Sequence, residues 1–209
     1  MNITGGFGRR KVFNFDHVFN QENTQEEVYS GLGIPQLINK VVEGYHATIF
    51  AYGQTGSGKT FTMEGNEREF DSNDIEYAQN GIIQKSVGEL FDQIEYLKES
   101  DSGKHYGVFV SFLQIYNEKV FDLLNASSVN GLTATKKFIQ NEKDMQGLRI
   151  RWTKKDQFIV ENLYVFECQS AQEALKLFKF GSQNKILASH NLNEFSSRSH
   201  SIFSLTIES

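Results

Sequence analysis

Several things are scarce in this chain. It carries one cysteine, one proline and one tryptophan in 209 residues. The single cysteine, Cys168, excludes an internal disulfide framework and suits a reducing intracellular compartment. No apolar run approaches the length that spans a bilayer. The opening Met1-Asn2-Ile3-Thr4-Gly5-Gly6 lacks the apolar centre of a secretory signal, so a soluble intracellular chain is expected. Positive charge is also in short supply: 21 Lys and Arg stand against 26 Asp and Glu, for a net charge of −5. Bulk attraction to nucleic acid or to an anionic membrane is therefore not indicated, although a local basic patch is compatible with that balance. Repeats and low-complexity segments are absent. What remains is an ordinary globular composition, long enough to bury one core.

The most informative stretch runs Ala47-Thr48-Ile49-Phe50-Ala51-Tyr52-Gly53-Gln54-Thr55-Gly56-Ser57-Gly58-Lys59-Thr60. It reads as a buried strand, a glycine-rich turn and the start of a helix. Gly53, Gly58, Lys59 and Thr60 fit the phosphate-binding pattern G-x-x-x-x-G-K-[ST]. Glycines let the backbone curl so that successive N–H groups converge on an anion. The helix behind them adds its free N–H groups and the positive end of its dipole. Lys59 then serves as a point charge for β- and γ-phosphates, and the Thr60 hydroxyl as a ligand for Mg²⁺. A nucleoside triphosphate site is the expectation.

Around this stretch the elements alternate. Phe13 and Phe15 alternate with polar neighbours from Lys11 to Phe19, which is strand-like. Thr24-Gln25-Glu26-Glu27 is a capping box opening a helix that Pro35 is expected to kink or restart. The helix after Thr60 is cut short by a polar acidic insertion from Glu64 to Asn80, and helical spacing resumes from Gly81 to Ser100. Tyr106 to Tyr116 is apolar on both faces, as a central strand covered by helices should be. A long loop is expected from Asn125 to Gly147, then short strands over Leu148–Trp152 and Phe158–Phe166, joined by the basic turn Thr153-Lys154-Lys155-Asp156. Ser170-Ala171-Gln172-Glu173 is a second capping box, and its helix has the spacing to run through Ile186 and Leu187. A hydroxyl-rich segment from Ser189 to Ser201 precedes a final strand over Ile202–Glu208. The order is α/β.

Triphosphate hydrolysis needs hydroxyls to complete Mg²⁺ coordination and a loop that moves between nucleotide states, and the serine-rich segment could supply both. Five stretches then share one resemblance: Phe15-Asp16-His17-Val18-Phe19; Gly44 through Thr60; Gly81-Ile82-Ile83; Ile115-Tyr116-Asn117-Glu118 with Asp122-Leu123-Leu124; and Asn193-Glu194-Phe195-Ser196-Ser197-Arg198-Ser199-His200-Ser201-Ile202-Phe203. In this order, from about Phe13 to the chain end, they resemble the motor domain of the kinesins.

The resemblance implies a fold and a set of roles. The fold is an α/β, P-loop NTPase-like central mixed β-sheet flanked by helices. Residues 53–60, that is Gly53, Gln54, Thr55, Gly56, Ser57, Gly58, Lys59 and Thr60, would cradle ATP with Mg²⁺, with Phe61 near the adenine. Ser196 would approach the γ-phosphate, Ser197 would join Thr60 as a metal ligand, Asn193 would hold their loop, and Arg198 would pair with a glutamate in a second switch. The implied activity couples ATP hydrolysis to movement along microtubules, with tubulin, ATP and ADP as partners. The location is cytoplasmic, on the cytoskeleton; dimerisation would fall to a region outside this chain. Thr153-Lys154-Lys155 would lie near a secondary microtubule contact.

The family's opening Arg-x-Arg-Pro strand and its second switch, Asp-Leu-Ala-Gly-Ser-Glu, are not in the sequence. Residues 1–209 therefore read as a partial motor domain, roughly the N-terminal two-thirds of a head. By itself it is expected not to work as a motor. The alternative is a non-catalytic nucleotide- or tubulin-binding relic. The Asn125–Gly147 loop and Trp152, where the family often has an acid, leave the subfamily open.

Overall fold

The computed structural model describes residues 2–4, 10–66, 80–100, 103, 105–125, 147–154, 157–191 and 199–209. The chain divides into two units, Met1–Ala51 with Gly58–Glu89, and Tyr52–Ser57 with Leu90–Ser209. The acidic insertion over 67–79 and most of the long loop, 126–146, lie outside the described residues.

In the first unit, β1 (Asn2–Thr4) pairs antiparallel with β2 (Arg10–Val12). The strand expected across Phe13 and Phe15 stops at Val12, and both phenylalanines are exposed. Helix α1 (Gln25–Gly31) opens on the expected box: Glu27 N–H donates to Thr24 Oγ1 at 3.2 Å, and Thr24 N–H to Glu27 Oε2 at 2.8 Å. Those bonds hold the Glu27 carboxyl below its ordinary range, the backbone donor at Thr24 contributing most. Gly33 in the left-handed region and Pro35 in the first turn restart the chain as α2 (Ile34–Val42), so the proline marks a new helix start. Helix α3 (Lys59–Glu64) is short, as expected, and α4 (Ile82–Ser100) begins in this unit with Ile82 and Val87 buried; from Leu90 on it belongs to the second unit, where Leu90 and Ile94 are buried.

One expectation fails here. Ala47–Tyr52 has no ladder partner among the described residues, and it is not buried: Phe50 is 81% and Tyr52 95% exposed. A run of β-favouring residues becomes a strand only where another strand lies alongside to take its N–H and C=O groups, and none of the described strands does so here.

The second unit is built on β3 (Gly107–Tyr116), whose Val108, Val110 and Phe112 are almost wholly buried. On one edge β3 pairs with β4 (Lys119–Asp122) and β7 (Phe166–Cys168), and on the other with β8 (Ser199–Glu208), which matches it residue for residue from Gly107↔Glu208 to Tyr116↔Ser199. The expected central strand is confirmed. All the described ladders are antiparallel; the parallel pairing expected of a mixed sheet is not among them. β5 (Ile150–Trp152) and β6 (Phe158–Val160) form a separate exposed hairpin, with Trp152 and Phe158 edge to face at 4.4 Å.

Helix α5 (Ala171–Asn191) packs on β3 through Phe178, which stacks on Phe112 at 5.6 Å; both rings meet Phe203 of β8 edge-on, at 5.2 and 5.4 Å. Gly181 lies against the Phe112 ring, where any Cβ would collide with it. The second capping box is half of what was expected. Ser170 Oγ accepts from Glu173 N–H at 3.3 Å, but the Glu173 carboxylate takes the Gln169 N–H. Ser189–Asn191 extends α5, and Ser199–Ser201 belongs to β8, so both ends of the serine segment are regular structure.

Two buried polar side chains pin the exit from β4. Asp122 accepts from Leu124 N–H at 2.7 Å and Tyr164 N–H at 2.6 Å, and Asn184 of α5 donates to the Leu123 carbonyl at 2.6 Å. Burial raises the Asp122 pKa, partly offset by those two backbone donors. Cys168 is buried, and burial, then Glu173 and Glu167, push its thiol up to about 11, so it stays protonated and unreactive at neutral pH. Among the described residues no helix is long and apolar enough to cross a membrane.

Candidate phosphate-binding site

The phosphate-loop motif is realised as a turn and a helix start. In the second unit, Ser57 N–H closes a turn on the Gln54 carbonyl at 3.2 Å, with Gly56 at φ 78°. In the first unit, Gly58 precedes α3 at φ 85° and no side chain caps the helix. No atom lies within 4 Å of where a Cβ on Gly58 would stand, so glycine is needed there for its backbone conformation, not for room. Gly53 through Gly58, Thr60 and Phe61 are exposed, and Lys59 is half-buried. An uncapped helix start with a lysine and an accessible hydroxyl in its first turn has the donors that suit a phosphate with a divalent cation.

The far end of α3 is held more firmly than the sequence suggested. The Phe61 carbonyl accepts from Gly65 N–H at 2.9 Å and from the buried Gln25 Nε2 of α1 at 2.6 Å. Gln84 Nε2 of α4 donates to the Glu64 carbonyl. A Cβ on Gly81 would lie 2.5 Å from Gly65 N and 2.6 Å from Glu64 N, so the two backbones are already in close approach. Elsewhere in this unit α4 meets α1: Lys85 Nζ pairs with Glu26 Oε2 at 2.6 Å, and Tyr29 Oη donates to Glu89 Oε2 at 3.1 Å. Burial, and then the Glu89 charge, raise the Tyr29 pKa and keep the phenol a donor. Gln25 and Gln84 were missed because neither the capping-box nor the helical pattern marks a glutamine that will bond a distant carbonyl.

Asn193, Ser196, Ser197 and Arg198 lie outside the described residues. Beyond them Ser199 and His200 enter β8 opposite Tyr116 and Ile115. At that end of the sheet β3 turns into β4 through Asn117 and Glu118, both left-handed at φ 48° and 62°. A cavity of about 510 Å³ opens there, lined by Ile115, Tyr116, Asn117, Glu118 and His200. Among the described residues there is no group of three or more His, Cys, Asp or Glu side chains that could hold a metal ion.

Comparison with known proteins bears on the whole chain. The family described as the kinesin motor domain matches residues 4–209. The kinesin-like protein KIP2 of Eremothecium gossypii is 40% identical over 196 residues, covering 93% of this chain and 26% of that protein. The kinesin-like protein KIF15-B of Xenopus laevis is 38% identical over 200 residues, covering 95% of this chain and 13% of its own length. This chain therefore spans about a quarter or less of these relatives. A solved structure of a fast kinesin superposes with a TM-score of 0.77 at 30% identity, over 95% of this chain and 48% of that one. With a family match over nearly its full length and a shared α/β fold, the chain belongs to the kinesin motor-domain family.

Proposed function

We propose that the protein containing this chain binds ATP with Mg²⁺ and couples its hydrolysis to movement along microtubules in the cytoplasm. The observation that carries this reading is the phosphate-loop sequence ending in an uncapped helix start, Gly58-Lys59-Thr60, within a chain of the kinesin family. In this reading the N–H groups of residues 53–58 receive the phosphate oxygens, and Lys59 offsets charge on the β- and γ-phosphates. The hydroxyls of Thr60 and Ser197 would hold Mg²⁺, which when bound would supply positive charge against the phosphates. Ser196 donates to the γ-phosphate, Asn193 steadies that loop, and Arg198 pairs with a carboxylate when it closes. Phe61, exposed on α3, offers its ring to the adenine.

The test is ATP turnover by the full-length protein with and without microtubules. Stimulation of at least about tenfold is expected, equivalent to about 1.4 kcal/mol off the barrier. Binding of nucleotide or tubulin without turnover would instead favour a non-catalytic relic.

The exposed β5–β6 hairpin supports a second contact with the filament. It presents Trp152 and Phe158, with Lys154 in the turn between its strands. The double substitution Lys154→Glu, Lys155→Glu is expected to weaken microtubule co-sedimentation of the full-length protein a few-fold at low salt, and less as screening grows. Equal co-sedimentation at every salt concentration would make the hairpin an ordinary solvated turn.

A further inference from the structure

We infer that Gln25 and Gln84 are positioning residues for the phosphate loop, two side-chain amides from different helices that fix α3 by its C-terminal carbonyls. The inference rests on the nucleotide reading above and adds to it what holds the loop's helix in place.

A six-residue helix does not sustain itself, and its last carbonyls have no partner within the helix. In α3 two of the last four carbonyls are met by glutamine, that of Phe61 in addition to the Gly65 N–H of the C-cap. The Phe61 carbonyl takes Gln25 Nε2 at 2.6 Å, and the Glu64 carbonyl takes Gln84 Nε2. Gln25 is 8% and Gln84 4% exposed, and Glu64 beside them is 8% exposed, so water is a poor substitute for either donor. The donors are themselves held. Gln25 directly follows the Thr24 cap, and its neighbour Glu26 is paired with Lys85, which directly follows Gln84. The close approach of Gly81 to Gly65 removes slack on the same side.

Six residues of helix are only about 9 Å long. An error in the position of Phe61 or Glu64 is therefore passed directly to Lys59 and Thr60. Anchoring the far end sets the lysine and hydroxyl in place before ligand arrives, and preorganisation of this kind appears as affinity.

The experiment compares full-length wild type with Gln25→Met, Gln25→Glu and Gln84→Met, reading KM for ATP, Kd for Mg-ADP, kcat and the melting temperature without nucleotide. Met keeps the length and removes the donor; Glu keeps the shape and sets an oxygen against the Phe61 carbonyl. KM and Kd are expected to rise roughly fivefold or more in all three, most in Gln25→Glu, with kcat at saturating ATP within about twofold of wild type. Should Gln25→Met fold poorly, Gln84→Met carries the test from the other helix. Wild-type KM and Kd in folded variants would overturn the inference, as would a fall in kcat in step with melting temperature, which marks a merely structural role. Lys59→Ala is run alongside. If it too leaves KM unchanged, the nucleotide reading fails and this inference with it; if it abolishes binding while the glutamine variants bind normally, only the anchoring is wrong.

Discussion

Lys59→Ala in the full-length protein is expected to weaken Mg-ATP binding about a hundredfold and to reduce turnover to background. A charge-assisted hydrogen bond is worth roughly 1.5–3 kcal/mol, and each 1.4 kcal/mol is a factor of ten in affinity. Lys59 is half-buried in the first turn of α3, directly after the Gly58 that sets the turn. Its ammonium is thus directed by a short, anchored helix and not by a free chain. Lys59→Arg is expected to recover only part of the loss, because a planar guanidinium does not replace a compact point charge in a backbone cradle. Isothermal titration with Mg-ADP and steady-state turnover read both. Unchanged affinity and turnover in Lys59→Ala would reject the phosphate-loop assignment.

Phe112→Ala should be the most damaging core substitution, costing about 3–5 kcal/mol of unfolding free energy. Phe112 is 1% exposed and its ring meets Phe178 and Phe203, from α5 and β8, so its removal opens a void between helix and sheet. Gly181 cannot fill the space from the helix side because it has no side chain to offer. Urea unfolding checks the prediction: the midpoint should fall sharply at an unchanged slope. Phe178→Ala should be severe too, and the double variant should cost less than the two single losses added, since the rings share one contact. Tyr96→Ala, at a ring that is 70% exposed, should stay within about 0.5 kcal/mol. A loss below about 1 kcal/mol for Phe112→Ala would mean that the aromatic cluster does not hold this unit together.

Helix starts were legible because their causes are local. Thr24 and Glu27 satisfy donors within three residues of each other, and Pro35 restarts the chain by its own ring. Partner choice was less so. Glu173 took the Gln169 N–H instead of completing the box with Ser170, a difference of one residue that composition cannot express. The central strand β3 was legible because it is mostly apolar on both faces, although only the face of Val108, Val110 and Phe112 is fully buried and the other is half-buried.

By itself the sequence determined the helices, the central strand, the phosphate-loop motif and the family resemblance, all carried by residues close together in the chain. Only the tertiary structure decided which apolar runs pair. β8 found β3 along ten residues, while Ala47–Tyr52, at least as apolar, stands outside any described ladder with Phe50 and Tyr52 exposed. Only it decided that Gln25 and Gln84 meet on α3, and that Phe112, Phe178 and Phe203 share one cluster. The physical reason is the same each time. A strand or a buried amide is completed by a partner tens of residues away, and that partner is chosen by packing, which leaves no period or spacing in the sequence.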